Sequence, residues 1–397
     1  MRDSEISELV DNVCAEWSDD LPLGEWWRLL SEARLTFPHW PEPWGRGWDT
    51  AQVSVWRDRM QHHGVLGPPT GLGVLMGGPI VLDHANAEQQ DRFLPALANG
   101  TSAWCQLFSE PGAGSDLAGL TTTAERDGDD WIVTGQKVWT SGAMHADHGM
   151  LIARTNWDAP KHRGIGYFVF PMDQPGVEVR PLKQMNGAAH FNEVFLNEAR
   201  VSHDNLIGPA GEGWRVARAT LGYERRGLGA AGIRGPRPTA GRGGGQLDRP
   251  VGEIMASHRS RAREGNIAAV GSAARLRTLV DGELGAVQRD RLAALTIQER
   301  VEAGVAGQQP LAVKLAWTER LRAASDMATQ LLGPAAMLDG DDGPGSITNF
   351  MLSIPSASIA GGTDEVQRNI LGERALGLPR EPEVERDTPF REVPRNA

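Results

Sequence analysis

The spacing of apolar and polar residues changes twice along the chain. In "EISELVDNVCAEW", residues 5–17, apolar positions return at helical intervals, and "TAQVSVWRDRMQHHGV", 50–65, repeats the pattern. Between them "FPHWPEPWGRGW", 37–48, holds too much Pro and Gly for a helix and reads as a loop. "GLGVLMGGPIVLDHANAEQQDRFLPALANG", 71–100, predicts a small-residue helix and then a polar amphipathic helix that stops at Asn99 and Gly100. From about 104 to 206 the period shortens to that of strands. "WIVTGQKVWTS", "HGMLIART", "GIGYFVFPM", "VEVRPLK" and "FNEVFLNEARV" are short β-rich runs parted by turn signals such as "RDGDD", 126–130. From about 211 the helical period resumes. "GWRVARATLGYERRGLGAAG" reads as one helix, and "RGPRPTAGRGGGQLDRPVGE", 234–253, as a flexible low-complexity connector. The runs 254–295 and 310–333 read as long helices, and "LPREPEVERDTPFREVPRNA" as an extended tail.

The expected fold is therefore α+β and multidomain. It has an N-terminal helical domain over 1–103, a middle β sandwich or barrel over 104–210, a helical domain over 211–378 and a tail over 379–397. The length of 397 residues agrees with several domains, since single cores stop growing at roughly 250–300 residues. A net charge of −11 argues against nonspecific nucleic-acid binding. No apolar run has the length of a membrane span, and the acidic, polar N-terminus lacks the basic and apolar regions of a signal peptide, so a cytoplasmic protein is expected. Cys14 and Cys105 match no metal or redox spacing.

Two candidate motifs read as packing or loop. "GLGVLMGG", 71–78, has the glycines of a dinucleotide fingerprint without the strand before it or the acidic residue after it, so close helix packing is the better reading. "HADH", 145–148, lacks a third metal ligand at suitable spacing and reads as loop polarity. "FSEPGAGSDLAG", 108–119, is different. A Gly-rich bend exposes successive backbone N–H groups and leaves room for a planar or phosphorylated ligand, with Ser109 and Ser115 as hydroxyl donors, although a plain turn has the same spacing. "WIVTGQKVWTSGA", 131–143, sets Trp139 at the end of a β run beside Thr140 and Ser141. An indole face there can stack on a flat ring, or simply join the core.

Taken together these segments resemble the acyl-CoA dehydrogenase family over about residues 10 to 380. "FSEPGAGSD" and "GQKVWTSGA" look like its two flavin-binding segments. "QLLGPAAM", 330–337, is similar to its Q-x-x-G-x-x-G segment, with Ala336 in place of the last Gly. "GGTDEVQRNILGERALGLP" looks like its C-terminal signature, and "AEQQDRFLPALANG", 87–100, like the helix before its β domain. The resemblance implies a C-terminal four-helix bundle, FAD as cofactor and a tetramer, homomeric or heteromeric. It implies α,β-desaturation of an acyl-CoA thioester, with a carrier-protein thioester as the other substrate form, and electrons passing to an electron-transfer flavoprotein. Carried over position by position, it assigns Gln106, Phe108, Ser109, Gly114, Ser115, Trp139, Ser141, Gln330, Gly333, Thr363 and Glu365 to the cofactor, and Ser115 and Arg225 to the substrate.

Desaturation requires a carboxylate within reach of the α carbon, poised by its surroundings, and N–H donors on the thioester carbonyl. Many members place the Glu directly before the Gly-Thr of the C-terminal signature. Here Gly361 stands in that place. Isovaleryl and long-chain members place it on an earlier helix before an Arg, and Glu224 with Arg225 in "LGYERR", 221–226, falls on that position. The resemblance thus assigns the base to Glu224 and leaves Gly361 a backbone N–H for the carbonyl. A solvated helix face is the plain alternative for Glu224. The family's Arg and Phe-Gly after the base-bearing helix have no counterpart in "RGPRPTAGRGGG" and "SHRSRAREG", where Arg259, Arg261 or Arg263 are the substitutes for the phosphate contact. Two other functions stay open on the same fold: a partly structural subunit of an α2β2 dehydrogenase, and a flavin monooxygenase, which needs no α-proton base.

Overall fold

Strand alternation builds the middle of the chain. In β5, Ile165–Pro171, the side chains of Ile165, Tyr167 and Val169 enter one core, while Phe168 and Phe170 enter another. Successive strand residues point to opposite faces, so a strand that is apolar at every position must be covered on both. β4, His148–Arg154, divides in the same way, with Met150 and Ile152 on one side and Leu151 and Ala153 on the other. These are the most buried strands of a seven-stranded sheet in which β1 (Trp104–Leu107), β4, β2 (Thr123–Asp127), β3 (Asp130–Ser141), β7 (Phe191–Ser202) and β6 (Val177–Leu182) follow in that order, with β5 also on β4. One edge of β4 takes β1 in parallel and meets β2 at Arg154, and its other edge takes β5, so the sheet curls. β2 and β3 form a hairpin closed at Gly128, inside the predicted turn.

This computed structural model describes residues 1–227, 236, 238–241, 243–261, 271–279, 283–308, 310–337, 344–380, 382 and 386–394. The chain divides into two compact units, one of Met1–Lys183, Ala189–Arg261 and Val384–Ala397, the other of Gln184–Ala188 and Ala262–Glu383.

The first unit holds the sheet and the helices α1 (Asp3–Cys14), α2 (Leu23–Glu32), α3 (Thr50–His63), α4 (Gly78–His84), α5 (Ala87–Ala98), α6 (Gly213–Gly227) and α7 (Val251–Arg261). Asp49 and Asn86 cap α3 and α5 through capping boxes with Gln52 and Gln89. A π-helical turn, Gly73–Gly77, enters α4. A Cβ at Gly73 or Gly77 would fall within 3.1 or 2.6 Å of the Trp104 side chain, which is the close packing expected of "GLGVLMGG". Asp147 and His148 of "HADH" serve the fold: Asp147 accepts from the Ala103 N–H at 2.7 Å, and His148 Nδ1 lies 3.1 Å from Ser102 Oγ. Cys14 and Cys105 are free and buried.

The second unit holds α8 (Ala273–Arg277), α9 (Ala286–Gln308), α10 (Val313–Leu332), α11 (Pro344–Ala357) and α12 (Asp364–Arg374). Leu276, Leu295, Leu321, Ala324, Met327, Ile347 and Phe350 form its core.

Three sequence expectations change. Among its described residues, the stretch 234–253 is a strap on the N-terminal helices rather than a flexible connector. Gly241 N donates to Gly100 O at 2.8 Å, Gly24 N to Leu247 O at 2.8 Å and Leu23 N to Arg249 O at 2.9 Å, and Ala240 is buried. Backbone pairing and the buried Pro238, Ala240, Gly241 and Val251 hold it, which composition does not register. The long helix read over 254–295 is broken at 283–285, and α9 restarts after Gly285, whose N–H bonds to Gln288 Oε1 at 2.9 Å. The tail over 386–394 closes a short helical turn, Phe390–Glu392, and buries Phe390. No helix among the described residues is long and apolar enough to cross a membrane.

Candidate functional site

The first Gly-rich segment leaves β1 and folds back on itself, with Glu110 N bonded to Ala113 O at 3.0 Å and Ala113 N to Glu110 O at 3.1 Å. A Cβ at Gly112 or Gly114 would meet nothing within 4 Å, and Gly114 and Ser115 are exposed. The outer side of the bend is therefore open backbone. Its inner side is pinned. Lys137, fully buried on β3, donates to Phe108 O at 3.0 Å and Glu110 Oε1 at 2.8 Å. Glu110 also accepts from Thr121 N at 2.7 Å, Thr121 Oγ1 at 3.0 Å and Thr122 N at 3.0 Å. Val138 N donates to Ser109 O at 2.9 Å. The two segments are thus one constellation, fastened by a buried ion pair. Burial alone raises the Glu110 carboxyl, but Lys137 and the donors around it outweigh this and bring it down to about 2.

Directly past Lys137 lies a break in register: β3 and β7 slip between Lys137 and Thr140. Trp139 occupies that bulge with φ +59° and is 57% exposed. A bulky residue in left-handed backbone is costly and persists where the surroundings impose it, often at functional sites. Its ring meets Phe191 edge-on at 5.8 Å. Thr140 Oγ1 beside it is buried with no hydrogen-bond partner among the described residues, and Ser141 ends the strand half-buried. Open Gly-rich backbone, a presented indole and a buried unused hydroxyl fit a flat, phosphorylated cofactor. Gln106 lies in β1, half-buried, opposite Met150.

Helix α6 is seated on the sheet by Gly213, where a Cβ would come within 2.5 Å of the Gly166 backbone. Val216 and Thr220 form its buried stripe, and Thr220 Oγ1 lies 3.2 Å from Tyr167 OH. Tyr167 in turn packs edge-on to Phe108 at 6.1 Å. Glu224 stands one helical turn beyond Thr220 on the same stripe and is half-buried, not on a freely solvated face. The preceding Tyr223 OH donates to Asp83 Oδ2 at 2.5 Å. The Arg225, Arg259 and Arg261 side chains and the whole of Arg263 lie outside the described residues.

In the second unit, Gly361 and Gly362 take φ +67° and +91°, backbone that glycine adopts without strain. Gln367 Nε2 donates to Gly361 O at 2.7 Å. Lys314 donates to Gly362 O at 2.8 Å and Ser358 O at 3.2 Å, and pairs with the buried Asp364 at 2.9 Å. Burial raises the Asp364 carboxyl, but Lys314, Thr318 and Arg322 leave it lowered overall. Thr363 caps α12 through Val366 N, and Glu365 is exposed on the first turn. Thr363 and Glu365 border a shallow cleft with Arg322, Ser358 and Ile359. Gln330 accepts from Arg291, and Gly333 ends α10 with φ +52°.

Each unit therefore gathers its share of the expected residues: Gln106, Phe108, Ser109, Gly114, Ser115, Trp139, Ser141 and Glu224 in the first, Gln330, Gly333, Gly361, Thr363 and Glu365 in the second. Sequence reading passed over Glu110 and Lys137, although both lie inside the quoted motifs. The available signal was Lys137 itself, a charge in register with the inward-facing Trp131 and Val133 of the same strand.

Helical segments before and after a curled sheet, with a Gly-rich bend locked to a presented Trp, define the class of fold. Comparison with known proteins makes the class specific. The family model for the acyl-CoA dehydrogenase middle domain matches residues 105–199, and that for the acyl-CoA dehydrogenase C-terminal domain matches residues 211–376. Acyl-CoA dehydrogenase IpdE1 of Mycobacterium tuberculosis is 35% identical over 387 residues, which span 94% of this chain and 96% of that protein. Acyl-CoA dehydrogenase FadE34 of the same organism is 35% identical across 95% of this chain, which spans only 50% of that relative. The crystal structure of the ChsE4-ChsE5 complex from Mycobacterium tuberculosis is similar in fold, with TM-score 0.64 and 26% identity over 95% of this chain and 98% of the matched one. The chain belongs to the acyl-CoA dehydrogenase family, a family of oxidoreductases, and has its fold.

Proposed function

We propose that the protein is an FAD-dependent enzyme that desaturates an acyl-CoA thioester between its α and β carbons, with Glu224 as the base. The observation that carries this reading is the fastening of "FSEPGAGSD" to "GQKVWTSGA" by Lys137 and Glu110, which makes one cradle of the two flavin-type segments. FAD, when bound, supplies the acceptor for the hydride that leaves the β carbon. Trp139, Ser141, Ser109, Ser115 and the open backbone at Gly114 would hold it in the first unit, and Gln330, Gly333, Thr363 and Glu365 in the second. Phe108 supports the bend from beneath, and Gln106 lies on the strand that leads into it.

Glu224 accepts the α proton. Its half-buried place on the inward stripe of α6 suits a carboxylate that must meet an apolar acyl chain. The Gly361 N–H polarises the thioester carbonyl, and the absence of a side chain there leaves room for the acyl group. Arg225 binds the CoA portion. A carrier-protein thioester is the alternative substrate form, and an electron-transfer flavoprotein is the electron acceptor. The same reading places the enzyme in cytoplasmic lipid breakdown.

A tetramer is proposed, and a two-chain assembly is favoured as a second reading by the similarity to one chain of the ChsE4-ChsE5 complex. Anaerobic addition of an acyl-CoA panel to the purified protein tests the main reading. Bleaching of bound flavin with release of an enoyl thioester supports it, and an oxygenated product in air points to a monooxygenase instead. Expression of the chain by itself tests the second: flavin-free or insoluble protein rescued by a co-expressed partner supports the mixed assembly.

A further inference from the structure

The tail returns to the first unit at Phe390, which is 1% exposed in a charged, Pro-rich segment. It is seated on the loop between β4 and β5. Phe390 N donates to Ala159 O and Arg391 N to Trp157 O, each at 3.0 Å, and Arg391 pairs with Asp158 at 2.5 Å. The Phe390 ring lies 5.4 Å from that of Trp157 and 3.8 Å from the guanidinium carbon of Arg154.

Arg154 is the consequence. It is 1% exposed, and its fork is aimed at the end of the Gly-rich segment: Nη2 donates to Ala118 O at 2.6 Å and Leu120 O at 3.3 Å, and Nη1 to Lys161 O at 2.7 Å. Its backbone N–H donates to Thr122 O at 2.7 Å, and Thr122 N donates to Glu110. From the same loop Lys161 reaches Asp116 at 2.5 Å. Phe390 covers one face of a buried guanidinium whose hydrogen bonds hold the exit of the Gly-rich bend, while the backbone N–H of the same residue holds the strand entry that supports Glu110. Water admitted at that face would compete for those bonds.

We propose that the C-terminal tail is a lock on the Gly-rich loop, with Phe390 as a positioning residue for flavin binding that acts through Arg154. The flavin part rests on the function proposed above. The loop part does not, and the two separate in one experiment on the full chain. Hydrogen exchange of residues 110–122 is compared in wild type, Phe390→Ala and Phe390→Tyr, with β5 as an internal control, and FAD is titrated into each apoprotein. In Phe390→Ala, exchange over 110–122 is expected to rise about tenfold while β5 is unchanged, as for a local opening, and the FAD Kd to rise by a similar factor. Phe390→Tyr restores both. Should the Ala variant not fold, Phe390→Leu replaces it and gives a smaller rise in the same two readouts.

Exchange over 110–122 within twofold of wild type in the substituted protein overturns the lock. Faster exchange with an unchanged FAD Kd overturns the role of Phe390 in flavin binding. Wild-type protein that binds no FAD rejects the flavin reading, and the exchange comparison still decides the lock.

Discussion

Lys137 Nζ stands 2.8 Å from Glu110 Oε1, with both side chains buried, so that the strand carrying Trp139 and the bend carrying Ser115 are tied by one ion pair. Removing one partner leaves the other charge without compensation in the core. Lys137→Met or Glu110→Leu is therefore expected to lower the unfolding free energy by roughly 3–5 kcal/mol, and joint replacement by less than the sum. Urea denaturation of the three variants measures this, and additive losses would show that the pair is not coupled.

The pair also sets an acid limit. The folded Glu110 carboxyl is lowered from 4.5 to about 2, so the folded state binds its proton less readily than the unfolded chain does. The contribution is fully present above the unfolded value and is lost as pH falls through the folded one. Melting temperature should fall between pH 4.5 and about 2, and this part of the slope should be missing in Glu110→Gln. An identical slope in the variant would assign acid sensitivity to other carboxylates.

Glu224→Gln keeps the shape of the side chain and removes the base. Flavin content should match that of wild type, while the rate of anaerobic bleaching falls by about 10²-fold or more. Bleaching at the wild-type rate rejects Glu224 as the base.

At the other glycine-rich turn, Gly361→Ala places a Cβ on backbone with φ +67°, at a cost of about 1–2 kcal/mol. Lys314→Met removes the donor to Gly362 O and one of the two cations on the buried Asp364, which keeps Arg322, and is expected to cost more. Thermal melts rank the two, and the reverse order would mean that Lys314 does not hold this turn.

Both thiols are shielded. Burial pushes the Cys14 thiol up to about 11 and the Cys105 thiol up to about 12. A maleimide at neutral pH should leave the native protein unlabelled and modify both cysteines after denaturation, as read by mass spectrometry.

Much of this was legible along the chain. Period alone separates the helical ends from the β middle, because a strand facing two cores must be apolar at nearly every position, as in "IGYFVF". The quoted segments name Ser109, Ser115 and Trp139 as candidates, because local sequence decides where backbone is left open. The same segments contain Glu110 and Lys137, yet spacing cannot show that two opposite charges, one in the bend and one in β3, meet inside the core.

Phe390 carries the same lesson at the other end. One aromatic in a charged, Pro-rich tail is compatible with an extended chain, and only its contact with Arg154 reveals a fixed one. The sequence by itself determined the order of helix and strand, the empty side-chain position at Gly361 and the carboxylate at Glu224, since these are properties of neighbours along the chain. The tertiary structure decided which charges are paired, that Trp139 stands in strained, exposed backbone, and that Glu224 shares a stripe with buried Thr220. Those depend on desolvation and on packing between distant segments, and both are fixed only when the chain has closed on itself.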